Sequence, residues 1–171
     1  MKTALINAVI AVVSATTFCF VALAVAAEAE CQSSNRGMDN MEIREIKLLD
    51  ARGQLHTINT HIADDGTERA YGYQYICEQV IDRTAILFVY RAPTNGKFHM
   101  SNVKAPLDIG FFDASGRLID QQLMLAYADG ESTLYSPGRA FKYVLEARQG
   151  YFAEHNLVEG KTRLIRQSVY E

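Results

Sequence analysis

From Ile43 onward, every apolar run in this chain is cut short by turn-forming residues before it can grow into a long amphipathic helix. Ile43, Ile46, Leu48 and Leu49 mark a first strand region. The turn residues Asp50 to Gly53 then lead into a second run, Gln54 to Ile62, and the pair reads as a hairpin. In that second run Ile58, Thr60 and Ile62 share one face at the two-residue period while His61 falls on the other, and His56 and His61 are read as exposed strand residues. Thr84 to Tyr90 is a third apolar run, closed by the turn-rich loop Arg91 to Gly96. Leu107 to Asp113, the tight turn Ala114 to Gly116, and Arg117 to Leu125 continue as a meander. After a polar connection from Tyr127 to Arg139 come two more strands, Ala140 to Ala147 and Thr162 to Ile165. Two brief helices interrupt the strands. Asp65 caps the first and Glu68 reaches back to the cap, with Gly72 as its end; the second spans Gln149 to Asn156. The expected fold is mainly β: a compact antiparallel sandwich or barrel-like domain with two short helices.

The 171 residues, 49% hydrophobic and 22% charged, suit a single domain with a true core. A net charge of −3 without a Lys/Arg-rich run argues against a nucleic-acid partner, because phosphate binding needs a clustered basic face. Residues 1–26 read as a signal peptide: Lys2 is followed by an apolar stretch from Ala4 to Ala26 with small residues near its end. The alternative is an uncleaved anchor, weakened by Asn7, Ser14, Thr16 and Thr17. Residues 27–40 are polar and read as a flexible leader, leaving 41–171 as the domain. The expected location is periplasmic or secreted, with no stable membrane span once the signal is removed. Cys31 and Cys77 then remain, an even pair that can form a disulfide in an oxidising compartment or stand as two independent thiols. No CxxC or HxxxH spacing suggests a metal, and no phosphate loop, dinucleotide fingerprint or nucleophile elbow suggests a cofactor or an acyl-transfer site.

Polar groups thread through the apolar stretch Phe98 to Asp113. Asp108 heads a strand after Pro106 and Leu107, with His99 and Asn102 upstream. Asp108 can fix the preceding loop by accepting backbone N–H bonds, or serve as a ligand contact or base. Asn102 offers a donor and an acceptor, and His99 becomes a general base only if a carboxylate orients it. Arg69, in the first helix, is placed to meet Glu146 in a partly buried ion pair. The aromatic set Tyr71, Tyr73, Tyr75, Phe88, Tyr90, Phe98, Phe111 and Phe112 is mostly core, with some members able to line a pocket.

The order of these motifs resembles the domain-of-unknown-function 192 family. The matching pieces are Glu68 to Gly72 (ERAYG), Ile86 to Tyr90 (ILFVY), Phe98 to Asp108 (FHMSNVKAPLD), and Tyr143 to Glu146 (YVLE) followed by Gly150. The resemblance covers Met41 to Gln167 and implies a compact, mostly β domain, often exported, with no established biochemical role. Where the family usually has Trp-Met-Lys-Asn-Thr, this chain has His99, Met100, Ser101, Asn102 and Val103. Where the family has Gly-Leu-Met, it has Gly72, Tyr73 and Gln74. His99 trades a large apolar body for a titratable ring, and a lysine is lost beside it.

Three functional expectations follow. The first is a non-catalytic small-ligand-binding or interaction module, in which Arg69, Asn102, Asp108 and Glu146, with His99 at the edge, line a pocket for a small molecule or meet an exported protein. The second is a hydrolase-type enzyme using His99 with Asp108 or Glu146. In the third the polar cluster only stitches helix to sheet.

Overall fold

A computed structural model describes residues 31–127 and 132–170. The expected signal peptide, 1–26, lies outside these described residues. The strand-turn-strand pattern at the start of the domain closes as β1 (Glu42–Leu49) and β2 (Leu55–Ala63), paired from Glu42 opposite Ile62 to Leu49 opposite Leu55. Asp50 makes the turn. Its buried carboxylate accepts the N–H groups of Arg52 and Gln54 at 2.8 and 2.7 Å and meets His56 Nε2 at 3.1 Å. His56 is therefore half-buried against Asp50 rather than a free strand residue, and His61 is half-buried as well.

The first helix, α1 (Gly66–Tyr71), begins with a reciprocal cap. Asp65 Oδ1 accepts from Glu68 N–H at 2.8 Å, and Glu68 Oε2 accepts from Asp65 N–H at 3.1 Å. The remaining elements are α2 (Glu78–Ile81), β3 (Ala85–Thr94), β4 (Phe98–His99), β5 (Leu107–Phe112), β6 (Leu118–Met124), β7 (Leu134–Tyr135), β8 (Phe141–Arg148), α3 (Tyr151–Glu154), β9 (Arg163–Leu164) and α4 (Gln167–Tyr170). The fold is mainly β, with four short helices where two were expected.

Seven strands form one sheet in the order β6-β5-β8-β3-β2-β1-β9, and β4 pairs with β7 in a separate ribbon. The sheet curls until its two edges meet at one end. There Arg117 bridges Arg163, Leu118 N–H donates to Thr162 O at 3.0 Å, and Leu164 N–H donates to Gly116 O at 2.7 Å. One pair departs from the antiparallel expectation: β2 and β3 run parallel, because α1 and α2 carry the chain back across the sheet before β3 begins.

Strand alternation divides the core between the two faces of this sheet. Ile86 and Phe88 of β3, Ile109 and Phe111 of β5, and Val144 of β8 belong to one face. Leu87, Val89, Phe112, Tyr143 and Leu145 belong to the other. The second face is closed by Ile46 and Leu48 of β1, Phe152 of α3 and Val169 of α4. Phe152 lies so close to the sheet that a Cβ on Gly110 would stand 2.3 Å from its ring, so the glycine is what admits α3.

The first face is covered by α1, α2, β4 and residues of the expected leader. Residues 31–40 are not a free tail. Cys31 is bonded to Cys77 with Sγ atoms 1.99 Å apart. Gln32 N–H donates to Tyr75 O at 2.7 Å, and the buried Asn35 amide donates to Gly72 O and Gln74 O at 3.0 and 2.9 Å. Met38 is buried in the core. A segment short of apolar residues is held here by backbone pairing, one amide and one apolar anchor, a combination that composition does not reveal.

Candidate ligand-binding site

The central strand β8 carries an acid where alternation calls for an apolar residue. Glu146 stands opposite Ile86 on β3 and Ile109 on β5, on the face shared with Phe88, Phe111 and Val144. It is 5% exposed. Among the described residues it has neither a hydrogen bond nor an ion pair. Burial alone pushes its carboxyl up to about 8, since the charged form loses its hydration and gains no partner.

Glu146 forms the floor of a cleft of about 90 Å³, bounded by the end of α1 (Arg69 to Gln74), by Phe88 and Tyr90 of β3, and by Lys97, Phe98, His99 and Val103. Tyr73 is fully buried and its hydroxyl lies 3.1 Å from Thr84 Oγ1. Burial raises the Tyr73 phenol above its usual range and Glu146 adds to the effect; the same two causes raise Tyr90, with Arg69 acting in the opposite direction.

The expected ion pair between Arg69 and Glu146 is not formed. Arg69 Nη1 donates to Val89 O at 3.1 Å and its guanidinium sits 5.0 Å from the centre of the Tyr90 ring. A carbonyl and an aromatic face thus hold the cation beside the cleft wall, away from the carboxylate on the floor. Lys97 on the rim is exposed and also has no anionic partner among the described residues.

The other expected site residues divide between rim and elsewhere. His99 lines the cleft from its exposed edge, and its Nδ1 accepts Ser101 N–H at 3.3 Å. Among the described residues no carboxylate orients it, so Asp108 and Glu146 do not form with it the dyad a hydrolase needs. Asn102 lies outside the cleft in a left-handed conformation, φ 61°, where its amide donates to Gln74 Oε1 at 3.1 Å and its carbonyl accepts Tyr75 N–H at 2.8 Å. It pins the loop that follows β4 against the end of α1.

Asp108 does not join this group. Asp108 pairs with Ala147 and Ile109 with Glu146, so strand alternation sends the two carboxylates to opposite faces of the sheet. On its own face Asp108 Oδ2 accepts the buried Phe152 N–H at 3.0 Å, which satisfies an otherwise free donor in the first turn of α3. That carboxylate lines a separate groove with Gln121, Gln122 and Phe152.

Tyr90, a member of the aromatic set able to line a pocket, and Lys97, which carried no motif of its own, complete the cleft. Tyr90 ends a strand run and Lys97 sits after a glycine turn, and both reach the site because β3 and β4 fold against α1. Among the described residues no group of three metal-ligating side chains occurs, and no helix is long and apolar enough to cross a membrane.

A family model described as "Uncharacterized ACR" matches residues 47–164. No curated protein matches the chain. Two solved structures share the fold. A candidate transcription regulator from Sinorhizobium meliloti 1021 aligns with a TM-score of 0.65 at 21% identity, covering 72% of this chain and 93% of that one. A protein of unknown function from Novosphingobium aromaticivorans DSM 12444 aligns with a TM-score of 0.64 at 21% identity, covering 78% and 93%. Identity this low speaks for the fold and not for a shared activity.

Proposed function

This chain belongs to the domain-of-unknown-function 192 family, and on that footing we propose that it is an exported, non-catalytic domain that binds a small molecule in the cleft above Glu146. One observation carries the reading. A carboxylate inside an apolar cluster, without a hydrogen bond or counter-ion among the described residues, costs folding free energy that a purely architectural role would not require. A ligand that brings a hydrogen-bond donor to Glu146 recovers that cost on binding. The cleft is well below the 300–1,000 Å³ usual for drug-sized ligands, so it suits a molecule of a few heavy atoms.

Export is supported by the apolar N-terminal segment and by the Cys31–Cys77 pair, which suits an oxidising compartment. Protein recovered from outside the cytoplasm is expected to begin near Ala27. Recovery confined to the cytoplasm rejects export.

The binding reading is tested by a thermal-shift screen of small metabolites and metal ions on the full-length chain and on Glu146→Gln. A ligand held well above its dissociation constant raises Tm by several degrees. At least one compound is expected to do so in the parent and not in the variant. If no compound produces a Glu146-dependent shift, the domain is not a small-molecule receptor at this site.

A further inference from the structure

The cleft holds one ionisable carboxyl and two cations, and none of the three has an ion-pair partner among the described residues. Glu146 supplies a carboxyl on the floor that burial keeps protonated at pH 7 until a cation meets it; Arg69 and Lys97 supply positive charges on the wall and rim. Arg69 spends one nitrogen on Val89 O and holds its guanidinium over the Tyr90 ring, and its remaining side-chain donors meet no acceptor among the described residues. A carboxyl and two cations that line one small cavity without touching each other form a site with two poles once a ligand ionises the carboxyl.

A simple organic cation satisfies Glu146 but meets Arg69 and Lys97 as like charges. A simple anion satisfies the two cations and leaves the buried, protonated Glu146 carboxyl without a hydrogen-bond partner. A molecule with an ammonium at one end and a carboxylate at the other satisfies both poles. Resting on the small-molecule reading of the same cleft, we infer that its ligand is a small zwitterion of the α-amino-acid class, with the ammonium on Glu146 and the carboxylate toward Arg69 and Lys97. The small volume limits the class to its smallest members, glycine first.

Groups facing Glu146 come from every element around the cleft: Arg69 and Tyr73 from α1 and its end, Tyr90 from β3, and Lys97 and His99 from β4 and the turn before it. Binding an ammonium draws Glu146 into its charged form. Glycine binding at pH 7 therefore releases a proton, and affinity rises between pH 6.5 and 8.5.

The test is calorimetric titration of the full-length chain with glycine, methylamine and acetate, in two buffers of different ionisation enthalpy. Glycine is expected to bind more tightly than either single-charge probe, to release a proton at pH 7, and to lose about tenfold or more in affinity in both Glu146→Gln and Arg69→Gln. Acetate binding as tightly as glycine, or glycine binding unaffected by Glu146→Gln, overturns the zwitterion assignment. Failure of all three probes also overturns it. The broader reading then stands if the metabolite screen finds another Glu146-dependent ligand, and falls with it if the screen finds none.

Discussion

Asp108 and Glu146 lie one register step apart on adjacent strands, and their carboxylates leave the sheet on opposite faces. Asp108 ends on a backbone N–H of α3 and Glu146 ends in a cleft beneath α1. Two acids so close in the sheet thus have unrelated surroundings, and substitutions at the two positions should behave differently.

Glu146 makes stability depend on pH. Its folded carboxyl titrates at about 8 against 4.5 for an ordinary glutamate, so the unfolded chain gives up its proton first as pH rises. Below 4.5 both states are protonated and the residue costs nothing through charge. Between 4.5 and 8 stability falls by roughly 1.4 kcal/mol per pH unit, and above 8 it levels off. Glu146→Gln is expected to remove this slope and to be more stable than the parent by roughly 5 kcal/mol at pH 9. Urea denaturation at pH 5, 7 and 9 measures both; parallel curves for parent and variant would show that Glu146 is not held neutral by burial.

Asp108→Ala strips the acceptor from Phe152 N–H and leaves a buried donor unpaired. The expected loss is about 1–3 kcal/mol, with ligand binding in the Glu146 cleft unchanged. Denaturant midpoints and a titration on the same sample separate the two effects. A binding defect without a stability defect would mean that Asp108 acts in a site after all.

Gly110→Ala would push a methyl group into the Phe152 ring. Overpacking of this kind costs about 1–3 kcal/mol. Phe152→Leu alone is also destabilising, but the double variant is expected to lose less than the two single losses added together, because the smaller side chain makes room. Strict additivity in the thermal midpoints would mean that the ring does not rest on Gly110.

Breaking the Cys31–Cys77 link frees the segment that carries Asn35 and Met38. Cys31→Ser with Cys77→Ser is expected to cost about 2–4 kcal/mol and to open residues 31–41 to limited proteolysis ahead of the rest of the domain. Mass spectrometry of the first cleavage products reads the order. Protection equal to the parent would show that backbone pairing at Gln32 and the Asn35 amide hold the segment without the disulfide.

Much of the fold is legible along the chain. The Asp65–Glu68 cap, the hairpin of β1 and β2 and the turn before Arg117 are all visible in the sequence, because in each the partners are near neighbours. Residues 31–40 are not legible in this way. Their anchors, Gly72, Gln74, Tyr75 and Cys77, lie far along the chain, and a polar composition carries no sign of them.

The candidate site divides along the same line. Its residue types, an acid in an apolar strand, an arginine in a short helix and a histidine amid aromatics, stand out in the sequence because each breaks a local pattern. Which of them meet depends on strand register and on the parallel placement of β3 beside β2, and both are set by packing between distant segments. A shift of one residue in the β5–β8 register would have put Asp108 and Glu146 on the same face. Local chemistry thus dictates the elements and singles out the unusual side chains; the closed core dictates that Glu146 is buried without a partner, that Arg69 turns to Val89 and Tyr90, and that Asp108 serves a helix.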